Sequence, residues 1–154
     1  MVSAIWGKPI PAPIGKGRIK SDKREGDGAT PRGIHRIVAM LYRPDRIQKP
    51  NHWAKSIGPN DLRSDDTSDA HYNHHVKRTY AHSHEKPCRS DLLYDLVILT
   101  DLNWPHAKAG KGSAIFIHQF RQAGYPTEGC IAFRRDHLNA IARSITPNTR
   151  LIVR

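Results

Sequence analysis

The sequence predicts a mainly β fold, a sandwich or barrel that carries one late helix. Three observations give it. Short strand-like apolar segments recur along the chain, one stretch near the C-terminus has helical spacing, and a long polar stretch without periodicity follows the first strong strand. Taken in order, Ile5 to Arg18 interleaves apolar residues with Pro9, Pro11, Pro13, glycine and lysine. This reads as an edge strand or extended lead-in, because proline cannot donate to a central ladder. Asp22 to Gly33 is dense in residues that supply positive φ or preset turns, and is a loop. Ile34 to Tyr42 reads as a strand buried on much of both faces.

From about Arg43 to Asp91 the chain is rich in His, Asp, Asn, Ser and Pro. Structureless loops beyond ~12–15 residues are uncommon unless they are functional, so this stretch reads as a substrate-facing insertion within one domain, with room for a short hairpin near Val76 to Tyr80. Strand character returns at Leu92 to Thr100 and Ser113 to His118, and Cys130 to Phe133 continues the sheet. Leu138, Ile141, Ala142 and Ile145 then follow i, i+3, i+4, i+7 spacing, the apolar stripe of one helix lying on a core. Pro147 stops that helix, and Leu151 to Val153 makes a last strand.

At 154 residues the chain fits one domain, 1–154, large enough to fold without disulfide staples or a metal. No stretch approaches the ~20 consecutive apolar residues that span a bilayer. Lysine and arginine number 25 against 14 acids, a formal charge of +11, which attracts anionic partners without choosing among nucleic acid, wall polymer and membrane surface. The 2 cysteines, Cys88 and Cys130, allow one disulfide or none, too few for a disulfide framework. Met1 to Gly17 lacks the apolar core of a secretory signal, so no export signal is visible there.

The sharpest local chemistry lies where Ile115-Phe116-Ile117-His118 delivers a histidine on a strand and Thr127-Glu128-Gly129-Cys130 opens the next one. An adjacent imidazole can take a thiol proton and create a nucleophile, and glycine before the cysteine lets backbone approach a substrate carbonyl. Read from these residues alone, Cys130 is more simply a small buried core residue with His118 a satisfied neighbour.

Gly112 to His118 followed by Tyr125 to Phe133 resembles the catalytic signature of the L,D-transpeptidase (YkuD-type) family: a histidine, a variable loop, then Ser/Thr-x-Gly-Cys. Gly26-Asp27-Gly28-Ala29-Thr30-Pro31-Arg32-Gly33 resembles that family's turn, and Leu93 to Ile98 its central strand. The resemblance runs from about Lys20 to Val153 and points to a compact, proteobacterial-like subgroup. It implies a β-sandwich catalytic fold and a metal-free, cofactor-free, ping-pong acyl transfer on peptidoglycan stem peptides. Cys130 would attack the carbonyl of the third residue of a tetrapeptide stem and release D-Ala, His118 would act as base, and Gly129 with Cys130 would line the oxyanion site. Substrate contacts are expected from Thr127, Tyr125, Arg134, His84 and Tyr72, with Glu85 beside them and Arg121 and Arg32 as further carboxylate holders. The resemblance also implies work in the periplasm or cell envelope and acylation by carbapenem-type inhibitors. Many members have His where Glu128 stands, Gly or Ser at Gln119 and Arg at Ala132, and a longer loop before the cysteine.

Two other features have plainer readings. The histidines at 71, 74, 75, 82 and 84 lack HExxH or paired CxxC spacing, so they do not read as a metal site. Cys88 has neither a glycine neighbour nor a strand-delivered base. The competing functions are L,D-carboxypeptidase trimming, if water replaces the amine acceptor, and a non-catalytic basic domain for nucleic acid or wall polymer. No nucleic-acid-binding motif or basic stripe supports the latter, and nucleic acid is not an expected partner.

Overall fold

Alternation of side chains decides the two faces of the central sheet. In the computed structural model, which describes residues 10–154, the chain runs through Ile19–Lys20 (β1), Thr30–Pro31 (β2), Gly33–Tyr42 (β3), Lys55–Ser56 (β4) and Asp61–Ser64 (β5). It continues through His75–Lys77 (β6), His84–Glu85 (β7), Leu96–Thr100 (β8), Phe116–Gln119 (β9), Ile131–Phe133 (β10), Arg135–Ser144 (α1) and Arg150–Val153 (β11). The main six-stranded sheet has the order β10-β9-β8-β3-β11, with β4 added beside β3. Its pairs are antiparallel except β10 with β9 and β3 with β4.

On one face Leu96, Ile98, Ile117, Ile131 and Phe133 pack with Met40 and Ile37 under the helix stripe Leu138, Ile141, Ala142 and Ile145. On the other, Tyr94, Val97, Ala114 and Phe116 form a smaller cluster with Leu41, Leu99 and Cys130 at its margin. A register shift between Ile37 and Ala39 lets both Ile37 and Met40 reach the helix side. The helix begins and ends as its spacing requires, with Ile145 as C-cap and Pro147 just beyond.

Several expectations need correction. The strand over 34–42 is buried or half-buried on both faces from Ile37 to Tyr42, but Ile34 lies at an open end of the sheet and is 62% exposed. The insertion holds no hairpin at 76–80. Asp61–Ser64 instead pairs with both His75–Lys77 and His84–Glu85 in a three-stranded antiparallel sheet, order β6-β5-β7. Leu92 to Asp95 is turn rather than strand. The lead-in expected from Ile5 lies outside the described residues as far as residue 9. From Pro13 to Lys16 it runs beside 127–132, where the carbonyls of Pro13 and Ile14 accept from Ala132 and Thr127 at 2.9 Å each. A proline keeps its carbonyl, so it can cover the edge of β10 as an acceptor.

Candidate active site

The glycine-rich turn over 26–33 is built to bring the lead-in and the Gly129-Cys130 corner together. Gly26 and Gly28 take φ of +71° and +61°, which let the chain fold tightly around Asp27. The Asp27 carboxylate accepts from Lys23 Nζ and from the amides of Ala29 and Arg24. Burial alone would raise its pKa, but Lys23 and these amides hold it down at about 2. Thr30, fully buried, accepts from the Gly15 amide and donates to the Gly129 carbonyl, both at 2.8 Å. Gly129 has φ +128°, and a Cβ there would lie 2.9 Å from the Ala29 carbonyl oxygen, so glycine is required on both counts.

Cys130 sits immediately before β10, with Sγ accepting from the Phe116 amide at 3.4 Å. His118 leaves β9 on the same face, since both lie on the Phe116 and Tyr94 side of the sheet. The His118 ring is buried, with Nδ1 2.7 Å from the Gln119 carbonyl oxygen. That oxygen can only accept, so Nδ1 carries the proton and Nε2 keeps its lone pair. Tyr94 meets the ring edge-on at 5.4 Å between centroids. Burial, partly offset by the Gln119 carbonyl, lowers the His118 pKa below 6.5. Burial also pushes the Cys130 thiol up to about 11 against the smaller effect of the Phe116 amide. The resting groups are therefore a neutral thiol and a neutral imidazole rather than an ion pair, and no hydrogen bond joins them. Cys130 and Cys88 are both free thiols.

Cys130 opens into a cleft of about 240 Å³ whose walls include Lys23, Glu25, Arg63, Glu85, Tyr94, Phe116 and Glu128. Arg63 is nearly buried. It donates to Glu85 Oε2 at 2.8 Å and to Asn73 Oδ1 at 3.0 Å, and its guanidinium lies 4.9 Å from the centre of the Phe116 ring. Tyr94 donates to the other Glu85 oxygen at 2.7 Å, and burial with the Glu85 charge holds the phenol protonated far above its usual range. Asn73, at φ +67°, also accepts from the Ala114 amide and donates to the Gly112 carbonyl, tying the insertion to the strand that leads to His118. Glu25 accepts from Tyr72 and Ser113.

The candidate residues are distributed unevenly about this cleft. Cys130 and Glu85 line it, and Tyr72 stands behind its wall through Glu25. The Gly129 amide, expected to line an oxyanion site, donates to Thr127 Oγ1 at 3.1 Å. Thr127 caps this corner through its hydroxyl rather than lining the cleft. His84 turns from the cleft, as strand alternation beside Glu85 dictates, and holds the His82 carbonyl. Arg134 is locked to Asp136 at the start of α1 on the far side of the sheet. Tyr125, Arg121 and Arg32 are exposed and absent from the walls. Carboxylates outnumber cations there, and none of the arginines expected to hold stem carboxylates lines it. Arg63, Asn73 and Glu25 went unread in the sequence because their partners lie 10 to 88 residues away. Among the described residues no group of three His, Cys, Asp or Glu side chains is arranged to hold a metal. No helix there is long and apolar enough to cross a membrane.

Compared with known proteins, residues 4–153 match the YkuD family model, the L,D-transpeptidase catalytic domain. No curated protein and no solved structure matches the chain.

Proposed function

The chain belongs to the L,D-transpeptidase catalytic domain family, and from that membership we propose that it is a cysteine acyltransferase acting on peptidoglycan stem peptides outside the cytoplasmic membrane. The observation that carries the reading is Cys130 lining a cleft, on the same sheet face as a neutral, oriented imidazole. Nε2 of His118 takes the Cys130 proton as Sγ attacks the carbonyl of the third stem residue. The pair is uncharged until attack, so proton transfer and carbon–sulfur bond formation proceed together. The Cys130 amide receives the developing oxyanion, since that of Gly129 is engaged by Thr127. Collapse breaks the carbon–nitrogen bond, His118 returns the proton to the leaving D-Ala amine, and a thioester remains. An acceptor amine then attacks the thioester, gives its proton to His118, and the thiol is restored.

Water in place of the amine would give trimming instead, and one assay separates the two. Tetrapeptide muropeptides incubated with the chain and analysed by mass should yield cross-linked dimer and free D-Ala, whereas trimming yields tripeptide without dimer. Cys130→Ala should abolish both products and the added mass left by a carbapenem while the protein stays folded. Product formation by that variant at the wild-type rate would overturn the assignment.

A further inference from the structure

On the open side of the main sheet, β3 and β11 are in register with Ile34 opposite Ile152 and Arg36 opposite Arg150. All four side chains are exposed, the isoleucines by 62% and 47%. His35, Leu151 and Val153 alternate with them, and Leu151 and Val153 turn to the helix side, so the four project from the face that bears Cys130 and His118. The isoleucine pair has a local explanation, because β-branched residues favour strands and pair well across them. The arginine pair has none, since like charges directly opposite each other destabilise an antiparallel pair. Among the described residues neither Arg36 nor Arg150 forms an ion pair. The nearby Asp101 carboxylate accepts from the Arg36 backbone amide instead.

We propose that this face binds the surface of a bilayer containing anionic phospholipid, the two guanidiniums meeting headgroup phosphates and the two isoleucines entering the acyl boundary. Charge complementarity selects this occupant. A second copy of the chain would set arginine against arginine, and nucleic acid would leave the isoleucines in water with no aromatic platform beside them. A bilayer uses both chemistries at once, as amphipathic interfacial surfaces do. The net charge of +11 adds long-range attraction. Because the patch shares a face with the cleft, adsorption holds the cleft at the side of the bilayer. The inference does not rest on the acyl-transfer reading.

The test is co-sedimentation of the full chain with vesicles of phosphatidylglycerol and phosphatidylcholine, or of phosphatidylcholine alone. Only the anionic vesicles should retain it, more weakly as salt rises. Each basic residue at such a surface contributes roughly fivefold, so Arg36→Gln with Arg150→Gln should lower partitioning roughly 30-fold. Ile34→Ser with Ile152→Ser should also weaken it. Arg135→Gln with Arg143→Gln removes the same charge from the helix side and should change partitioning far less. Equal losses in the two arginine double variants would reduce the effect to net charge and overturn the proposal. Equal retention by neutral vesicles, tighter binding to duplex DNA than to vesicles, or a dimer that these variants dissolve would overturn it too. Unchanged thermal unfolding of each variant keeps the comparison valid, and Cys130→Ala should bind vesicles like the wild type.

Discussion

Replacing Thr30 by valine tests how the glycine-rich turn supports the nucleophile corner. The side chain keeps its branched shape but loses the oxygen that accepts from the Gly15 amide and donates to the Gly129 carbonyl. The site is fully buried, so both backbone groups are left without a partner and water cannot replace it. Each orphaned buried group costs roughly 1–3 kcal/mol, which gives about 4 kcal/mol for the pair at mid-range. That is a large part of the ~5–15 kcal/mol available to a domain. At about 2–4 °C per kcal/mol for this size, the midpoint should fall by roughly 12 °C. Thr30→Ser keeps the hydroxyl and loses one methyl, about 1 kcal/mol. Urea and thermal unfolding followed by circular dichroism compare the two. Valine as stable as serine would refute the reasoning. Valine should also slow acyl transfer more than serine does, because the Gly129 carbonyl fixes the peptide before Cys130.

Other consequences follow from the same geometry. With Cys130 near 11 rather than 9, its alkylation at pH 8 should run about 100-fold below that of an unperturbed thiol of equal access, and rise until about pH 11. Its folded pKa is raised, so the stability it contributes is full below pH 9 and lost between 9 and 11, which unfolding at alkaline pH measures. His118 is shifted the other way by burial, so protons bind the unfolded chain more readily as pH falls below 6.5. Stability drops there, and the acid limb of the rate profile should lie below 6.5; a limb above 7 would contradict the buried base. Gly129→Ala should destabilise and inactivate together, as both φ and the 2.9 Å approach to Ala29 oppose a Cβ, whereas Gly26→Ala meets no atom and should be milder in a melt. Leu138→Ala, at the centre of the helix stripe, should cost about 2–5 kcal/mol by urea unfolding.

The elements read most directly from sequence were those whose side-chain period is carried locally. Leu96 to Thr100 and the Leu138 to Ile145 stripe announce themselves within ten residues, because burial on one face forces the period of the backbone onto the sequence. The insertion hid its three-stranded sheet because its strands are two to four residues long and mostly polar. Asp61 to Ser64 is buried throughout yet reads as loop, since its burial is made possible by distant partners such as Glu85. The same reason explains Arg134, expected among the substrate contacts, which the turn into α1 carries to the other side of the sheet, where it pairs with Asp136.

By itself the sequence determined the β-dominated class, the single late helix and the order in which a histidine and a Gly-Cys corner arrive on successive strands. Those properties are set by short-range periodicity and by the steric demands of glycine and proline. The fold alone decided that the cleft of a strongly basic chain carries more carboxylates than cations, that the Gly129 amide is engaged, and that isoleucine and arginine pairs stand exposed across β3 and β11. Charge and hydrogen bonding act through space at a few ångströms, and which groups come that close is fixed by strand register, which no local pattern encodes.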